Sequence, residues 1–131
     1  KLLNNNILLG AKKGLFLIDK NNKKIIFNLP MLGASNTKIC EIIKKREIWI
    51  RVKPKGLYRI SISSDDYKEI KDDITNFSTS SGLLDPNWNI PFEYNGDLAV
   101  GTPNGIYKFN RVDNQFIPHE LFKSIPNIKD K

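Results

Sequence analysis

Three stretches of this chain are versions of one another, and that repetition limits the fold more than composition does. ILLGAKKGLFLID from Ile7, IWIRVKPKGLYRIS from Ile48 and LAVGTPNGIYKFN from Leu98 share one plan. Each runs from a short apolar segment through a polar turn to a glycine, then into an aliphatic residue, an aromatic, one variable residue and a further apolar residue. The aligned glycines are Gly14, Gly56 and Gly105, at intervals of 42 and 49 residues (56 − 14 and 105 − 56). The first and third copies align without a gap, and the second carries one extra residue around Lys53-Pro54-Lys55. Eleven residues past each glycine another short run opens, at Ile25, Tyr67 and Phe116. Self-similarity at this period marks solenoids and propellers, in which each repeat is one supersecondary unit.

Alternation within the copies points to strands. Phe16 and Ile18, Tyr58 and Ile60, and Tyr107 and Phe109 fall two apart and share one face of a strand, while Leu15, Leu57 and Ile106 point to the other. Both faces are apolar, so such a sheet must be covered on both sides. In the second copy the pattern predicts strands at 39–43, 47–52, 56–62 and 67–70, the last extending to Phe77. Residues 90–94 supply the matching first strand of the third copy. The segments between are turn chemistry, and Asn95-Gly96 is a tight hairpin turn that needs positive φ. A four-stranded sheet between copies of itself is a propeller blade. The expected fold is therefore all-β, a β-propeller fragment of two to three four-stranded antiparallel blades. The units run roughly over 1–36, 37–82 and 83–131 of one partial propeller domain.

The stretch GTPNGIYKFN, 101–110, imitates a phosphate loop, with two glycines close to Lys108. A phosphate loop needs a following helix to aim its N-terminal amides, and the repeat predicts a strand there instead. The stretch therefore reads as a hairpin. Gly101 is expected where the backbone packs too closely for a side chain, and Asn104-Gly105 at the turn.

A length of 131 residues suits one domain, with 40% apolar and 27% charged residues, as in ordinary globular chains. No window is apolar enough over the roughly 18–20 residues of a membrane helix. The chain opens with Lys1, without a signal-peptide pattern, and reads as a piece of a longer protein. The formal charge of +7 invites a polyanion partner. No run of five like charges exists, however, and Lys44-Lys45-Arg46 is followed at once by Glu47. Lys, Asn and Ile are all over-used, as AT-rich coding would produce, so the lysines read as a solubilising surface and nucleic acid is not the expected partner. The single Cys40 cannot form an internal disulfide and, within Ile39-Cys40-Glu41-Ile42, reads as a small buried residue. No Cys or His cluster has metal-ligand spacing, and neither metal nor cofactor is expected.

IWIRVKPKGLYRIS and LAVGTPNGIYKFN resemble the core of the two-component regulator propeller repeat, whose pattern runs leucine-tryptophan-isoleucine-glycine-threonine and later glycine-leucine-tyrosine-arginine. ITNFSTSSGLLDPNWNI, residues 74–90, is similar to the linker between blades in that family, with Gly82-Leu83 as its Gly-Leu pair. The resemblance spans about residues 7–118. Arg51-Val52 depart from the Gly-Thr pair, and Leu8-Leu9 and Ala99-Val100 lack the tryptophan kept at Trp49. The family implies multi-bladed sensor domains outside the cytoplasmic membrane, joined through an immunoglobulin-like domain and a membrane helix to a histidine kinase, many of them carbohydrate-responsive. From the resemblance comes the expectation of an extracytoplasmic, membrane-anchored sensor. Three units do not close a ring, so self-association or the remaining blades of a larger propeller are expected as partners.

Catalysis is not expected. His119, the only histidine, follows an outer strand and reads as a surface residue without an orienting partner. Asp65-Asp66 and Asp72-Asp73 read as turn formers rather than as the two facing carboxylates of a glycosidase. A propeller lyase would need metal and base residues this chain does not show. Binding residues are easier to nominate. The loops holding Lys12 and Lys13, Lys53 and Lys55, and Asn104 are equivalent and project from one end, where they could meet an oligosaccharide or other anionic ligand. Trp49 lies mid-strand and reads as core, while Trp88 lies beside a loop and is the candidate for stacking on a sugar. The expected function is a non-enzymatic, ligand-sensing propeller module. A protein–protein scaffold and a polyanion-binding module working through the lysine loops are the alternatives.

Overall fold

The computed structural model describes residues 7–21, 23–29, 38–53, 55–62, 74–83 and 88–120. Among them regular structure is β-strand, apart from two 3₁₀ turns. The strands are β1 (Ile7–Ala11), β2 (Gly14–Asp19), β3 (Lys24–Leu29), β4 (Lys38–Ile42), β5 (Glu47–Val52), β6 (Gly56–Ser61), β7 (Ile74–Phe77), β8 (Ile90–Tyr94), β9 (Asp97–Thr102), β10 (Gly105–Asn110) and β11 (Gln115–Pro118). They form three antiparallel meanders with orders β1-β2-β3, β4-β5-β6-β7 and β8-β9-β10-β11. The all-β, blade-like architecture expected from the repeat is what the chain adopts. The first sheet has three strands among the described residues, equivalent to the last three of the other two.

Register follows the repeat. Ala11 pairs with Gly14 and Thr102 with Gly105, each across two turn residues, while Val52 pairs with Gly56 across three. The extra residue of the second copy is thus absorbed in its turn. Asn95 and Gly96 have φ of 52° and 79°, as a tight hairpin requires, and Tyr94 pairs with Asp97 across them. One expected segment lies outside the described residues, and two details differ from expectation. The described fourth strand of the second sheet is Ile74–Phe77, and the segment 67–70 with Tyr67 lies outside the described residues. β4 stops at Ile42, because Ile43 begins a 3₁₀ turn that ends with Arg46 in the left-handed region. Gly101 is not crowded: a Cβ there would meet only the Ile90 carbonyl oxygen at 3.9 Å, an ordinary contact.

The sheets stack face to face. In each, call the face carrying the residue directly after the repeat glycine the forward face. Leu15, Leu17 and Leu29 of the first sheet's forward face pack against Ile48, Ile50, Val52 and Ile60 on the rear of the second, an aliphatic seam. The second sheet's forward face sets Cys40, Ile42, Trp49, Leu57 and Phe77 against Leu98, Val100, Phe109 and Phe116 on the rear of the third. This second seam is aromatic. Trp49, Phe77, Phe109 and Phe116 meet with ring centroids 5.0–6.0 Å apart, mostly edge to face, the arrangement their quadrupoles favour. All six residues of β5 are buried, as a strand covered on both sides must be.

The Gly-Leu pair after β7 closes the seam from the side. Gly82 ends the 3₁₀ turn Thr79–Ser81 with φ of 94°, and a Cβ there would fall 2.5 Å from the carbonyl oxygen of Phe116. Only glycine fits that approach. Leu83 then turns into the aromatic cluster and is buried.

Candidate functional site

The equivalent loops of the three sheets follow β1, β5 and β9, and β8 begins at the same end, since Ile90 pairs with Gly101 near the end of β9. The β5–β6 loop is held by a hydrogen bond from the Lys55 amide to the Val52 carbonyl at 2.6 Å and by the Asn76 side-chain amide donating to the Lys55 carbonyl at 2.9 Å. The β9–β10 loop is held through Thr102, whose hydroxyl donates to the Gly105 carbonyl at 2.8 Å and accepts from the Asn104 amide at 3.1 Å. These bonds fix the loops that carry Lys53, Lys55 and Asn104.

Two of the nominated residues meet. The Lys53 ammonium lies 3.8 Å from the centroid of the Trp88 ring, reaching from the second sheet to the residue that leads into the third. A contact of this kind is worth roughly 0.5–1 kcal/mol at an exposed site. Trp88 is 56% exposed, so one large aromatic surface faces solvent at the seam. Lys12, Lys13, Lys55 and Asn104 are exposed on their own turns. The structure thus assembles a pair, Lys53 with Trp88, rather than a ring of lysines.

Next to the pair is a residue the sequence did not flag. Asn89 is 0% exposed, yet among the described residues neither its amide nitrogen nor its amide oxygen has a hydrogen-bond partner. A buried polar group left unpaired costs about 1–3 kcal/mol, so Asn89 holds unused donor and acceptor capacity at a cost in stability. The signal that could have found it is the inverted alternation of Trp88-Asn89-Ile90-Pro91, in which the tryptophan and isoleucine are exposed and the asparagine and proline are buried.

The opposite end of the same seam carries an ionic cluster, also unforeseen. Arg111, just past β10, donates to both carboxylate oxygens of Glu47 at 2.8 Å each and to Asp97 at 2.6 Å. Glu47 is buried and also accepts from the Trp49 indole at 3.1 Å. Hydrogen bonding to Glu47 raises the Arg111 pKa despite burial. Burial alone would raise the Asp97 carboxyl, but hydrogen bonds from Arg111 and the Leu98 amide outweigh it and hold Asp97 below the ordinary carboxylate range. Between the two ends, the Arg59 guanidinium lies 5.3–5.8 Å from the rings of Trp49, Phe77 and Phe109.

Other sequence candidates are dispersed. His119 is half-buried, with its ring edge-on to Tyr94 at 5.5 Å. Cys40 is buried as expected, and burial together with the Glu93 and Glu41 carboxylates pushes its thiol up to about 11. Asp65-Asp66 and Asp72-Asp73 lie outside the described residues. Among the described residues no group of three or more His, Cys, Asp or Glu could hold a metal ion, and no helix is long and apolar enough to cross a membrane. No protein-family model, curated protein or solved structure matches this chain.

Proposed function

We propose that this chain is the ligand-sensing propeller portion of a two-component regulator, a non-enzymatic binding module that works outside the cytoplasmic membrane. The sensor role comes from the repeat and linker resemblance. The observation that supports binding is the Lys53–Trp88 pair bridging two sheets beside the unpaired Asn89. An exposed indole offers a flat apolar face suited to the C–H face of a pyranose, and an ammonium beside it suits a carboxylate or sulfate on the same sugar. The ligand class is therefore an acidic oligosaccharide, bound at the loop end of the seam between the second and third sheets. Binding there would alter how these two sheets pack, and the change would pass to a downstream signalling domain.

The test is a fluorescence and calorimetric titration with matched acidic and neutral oligosaccharides. Trp49 is buried and Trp88 exposed, so ligand-dependent quenching reports Trp88. Quenching by acidic sugars that disappears in Trp88→Ala and weakens in Lys53→Met supports the reading. Absence of heat and of quenching with every sugar, or binding that survives Trp88→Ala, refutes it. A general polyanion module would instead lose affinity steeply with salt in proportion to the charges it contacts.

A further inference from the structure

The two internal seams obey one rule, and applying it once more leaves two faces to account for. In each seam the forward face of one sheet meets the rear face of the next. Among the described residues no further sheet covers the rear of the first sheet or the forward face of the third, where Ala99 is buried and Phe92, Lys108 and Ile117 are half-buried. Register places Leu9, Phe16, Ile18 and Ile25 on that rear face, with Leu9 opposite Phe16 as Ile50 is opposite Tyr58 and Val100 opposite Tyr107. Ile50 and Val100 are fully buried, but Leu9 is 49% and Ile25 62% exposed. On the forward face of the third sheet, Phe92, Ala99, Lys108 and Ile117 form one row across all four strands. Ile90, in the next row, is also half-exposed.

The charges repeat along with the apolar residues. Glu47 and Asp97 are each the first residue of the second strand of their repeat. Arg111 stands six residues past Gly105, and Lys20 stands six past Gly14. Across the seam between the second and third sheets, Glu47 meets Arg111. A seam of the same geometry between the third sheet and another first sheet would set Asp97 against Lys20. Lys20 is exposed and Asp97 partly so. The second sheet carries Ile62 at this position, buried in the aliphatic seam, so a cation occurs only in the first and third copies.

We propose that the forward face of the third sheet docks on the rear face of the first sheet of a second copy, with Lys20 approaching Asp97 as Arg111 approaches Glu47. The contact is heterologous, so it must either close into a ring or propagate. The three described sheets from each of two copies make six, within the range of about four to eight of closed propellers. The expected assembly is a twofold pair with two identical seams.

Light scattering over a concentration series tests this, together with Ile25→Glu and Lys20→Glu on the rear face and Ile117→Glu on the forward face. Residues 20 and 25 are exposed, so their variants should fold, and the unchanged emission of buried Trp49 checks that they do. The wild type should show a dimer mass that falls on dilution, and Ile25→Glu and Lys20→Glu should each weaken it about tenfold or more. Mixing Ile25→Glu with Ile117→Glu leaves one of two seams intact, so the mixed pair should be tighter than either variant alone. A folded monomer at every concentration overturns the proposal. So does a dimer indifferent to Ile25→Glu and Lys20→Glu, or a mixture no tighter than its components. A ladder of ever larger masses overturns the twofold closure.

Discussion

Replacing Arg111 by Met should cost this protein about 3 kcal/mol, and the reason can be read from Glu47. That carboxylate is buried and has three donors, two from Arg111 at 2.8 Å and the Trp49 indole at 3.1 Å. Removing Arg111 leaves a buried charge with one neutral donor. Breaking a buried pair from one side costs about 3–5 kcal/mol. Arg111 keeps part of its side chain in solvent, which sets the expectation at the low end. Removing both charges is a different perturbation, because exchanging a whole buried pair for apolar groups is often close to neutral. The double variant Glu47→Met/Arg111→Met should therefore lose less than the sum of the single losses, by about 2 kcal/mol or more. Urea denaturation followed by Trp49 emission is the assay, since Trp49 touches the cluster and is fully buried. Parallel slopes would show that only stability has changed. A loss below about 0.5 kcal/mol for Arg111→Met, the size of a surface pair, would refute the argument, as would strict additivity.

Three more outcomes are expected. Gly82→Ala should destabilise by about 1–3 kcal/mol, through the 2.5 Å approach to Phe116 and the positive φ, while Gly101→Ala should stay within about 0.5 kcal/mol; thermal denaturation compares them. The folded-state pKa of Asp97 is depressed, so its contribution is present above its unfolded value of about 3.9 and is lost as pH falls through the folded value. Stability measured from pH 5 to pH 2 should therefore fall less in Asp97→Asn than in the wild type, by under about 1 kcal/mol because the group is partly solvated. With its pKa pushed up to about 11, Cys40 should react with iodoacetamide at pH 8 about a hundredfold more slowly in the folded protein than in the unfolded chain, as mass spectrometry can follow.

What the sequence revealed and what it hid separate along physical lines. Strand identity and pairing are local properties, carried by two-residue alternation and turn residues, and the repeat reported them three times over. Trp49 could be assigned to the core because its neighbours Ile48 and Ile50 already required a strand there. Contacts across a seam depend on residues far apart in the chain, and no local pattern announces them. Glu47 looked like the end of a basic run, but its partner is Arg111, 64 residues away. Lys53 and Trp88 were each nominated on their own chemistry, and only the stacking of sheets brings them together. Gly101 misled because glycine in a repeat suggests crowding, whereas the crowded glycine is Gly82, in a linker.

The complete burial of β5 has a consequence for cooperativity. In a simple stacked array each unit opens at the cost of its own interfaces, and end units can loosen alone. Here the middle sheet contributes to both clusters, and its inner strand β5 has no solvent-facing residue through which to open gradually. Either outer sheet can open while that strand stays paired, but the strand cannot open unless both seams part. The middle sheet thus opens only after both of its neighbours have parted from it. Its backbone amides should be the last to exchange with solvent.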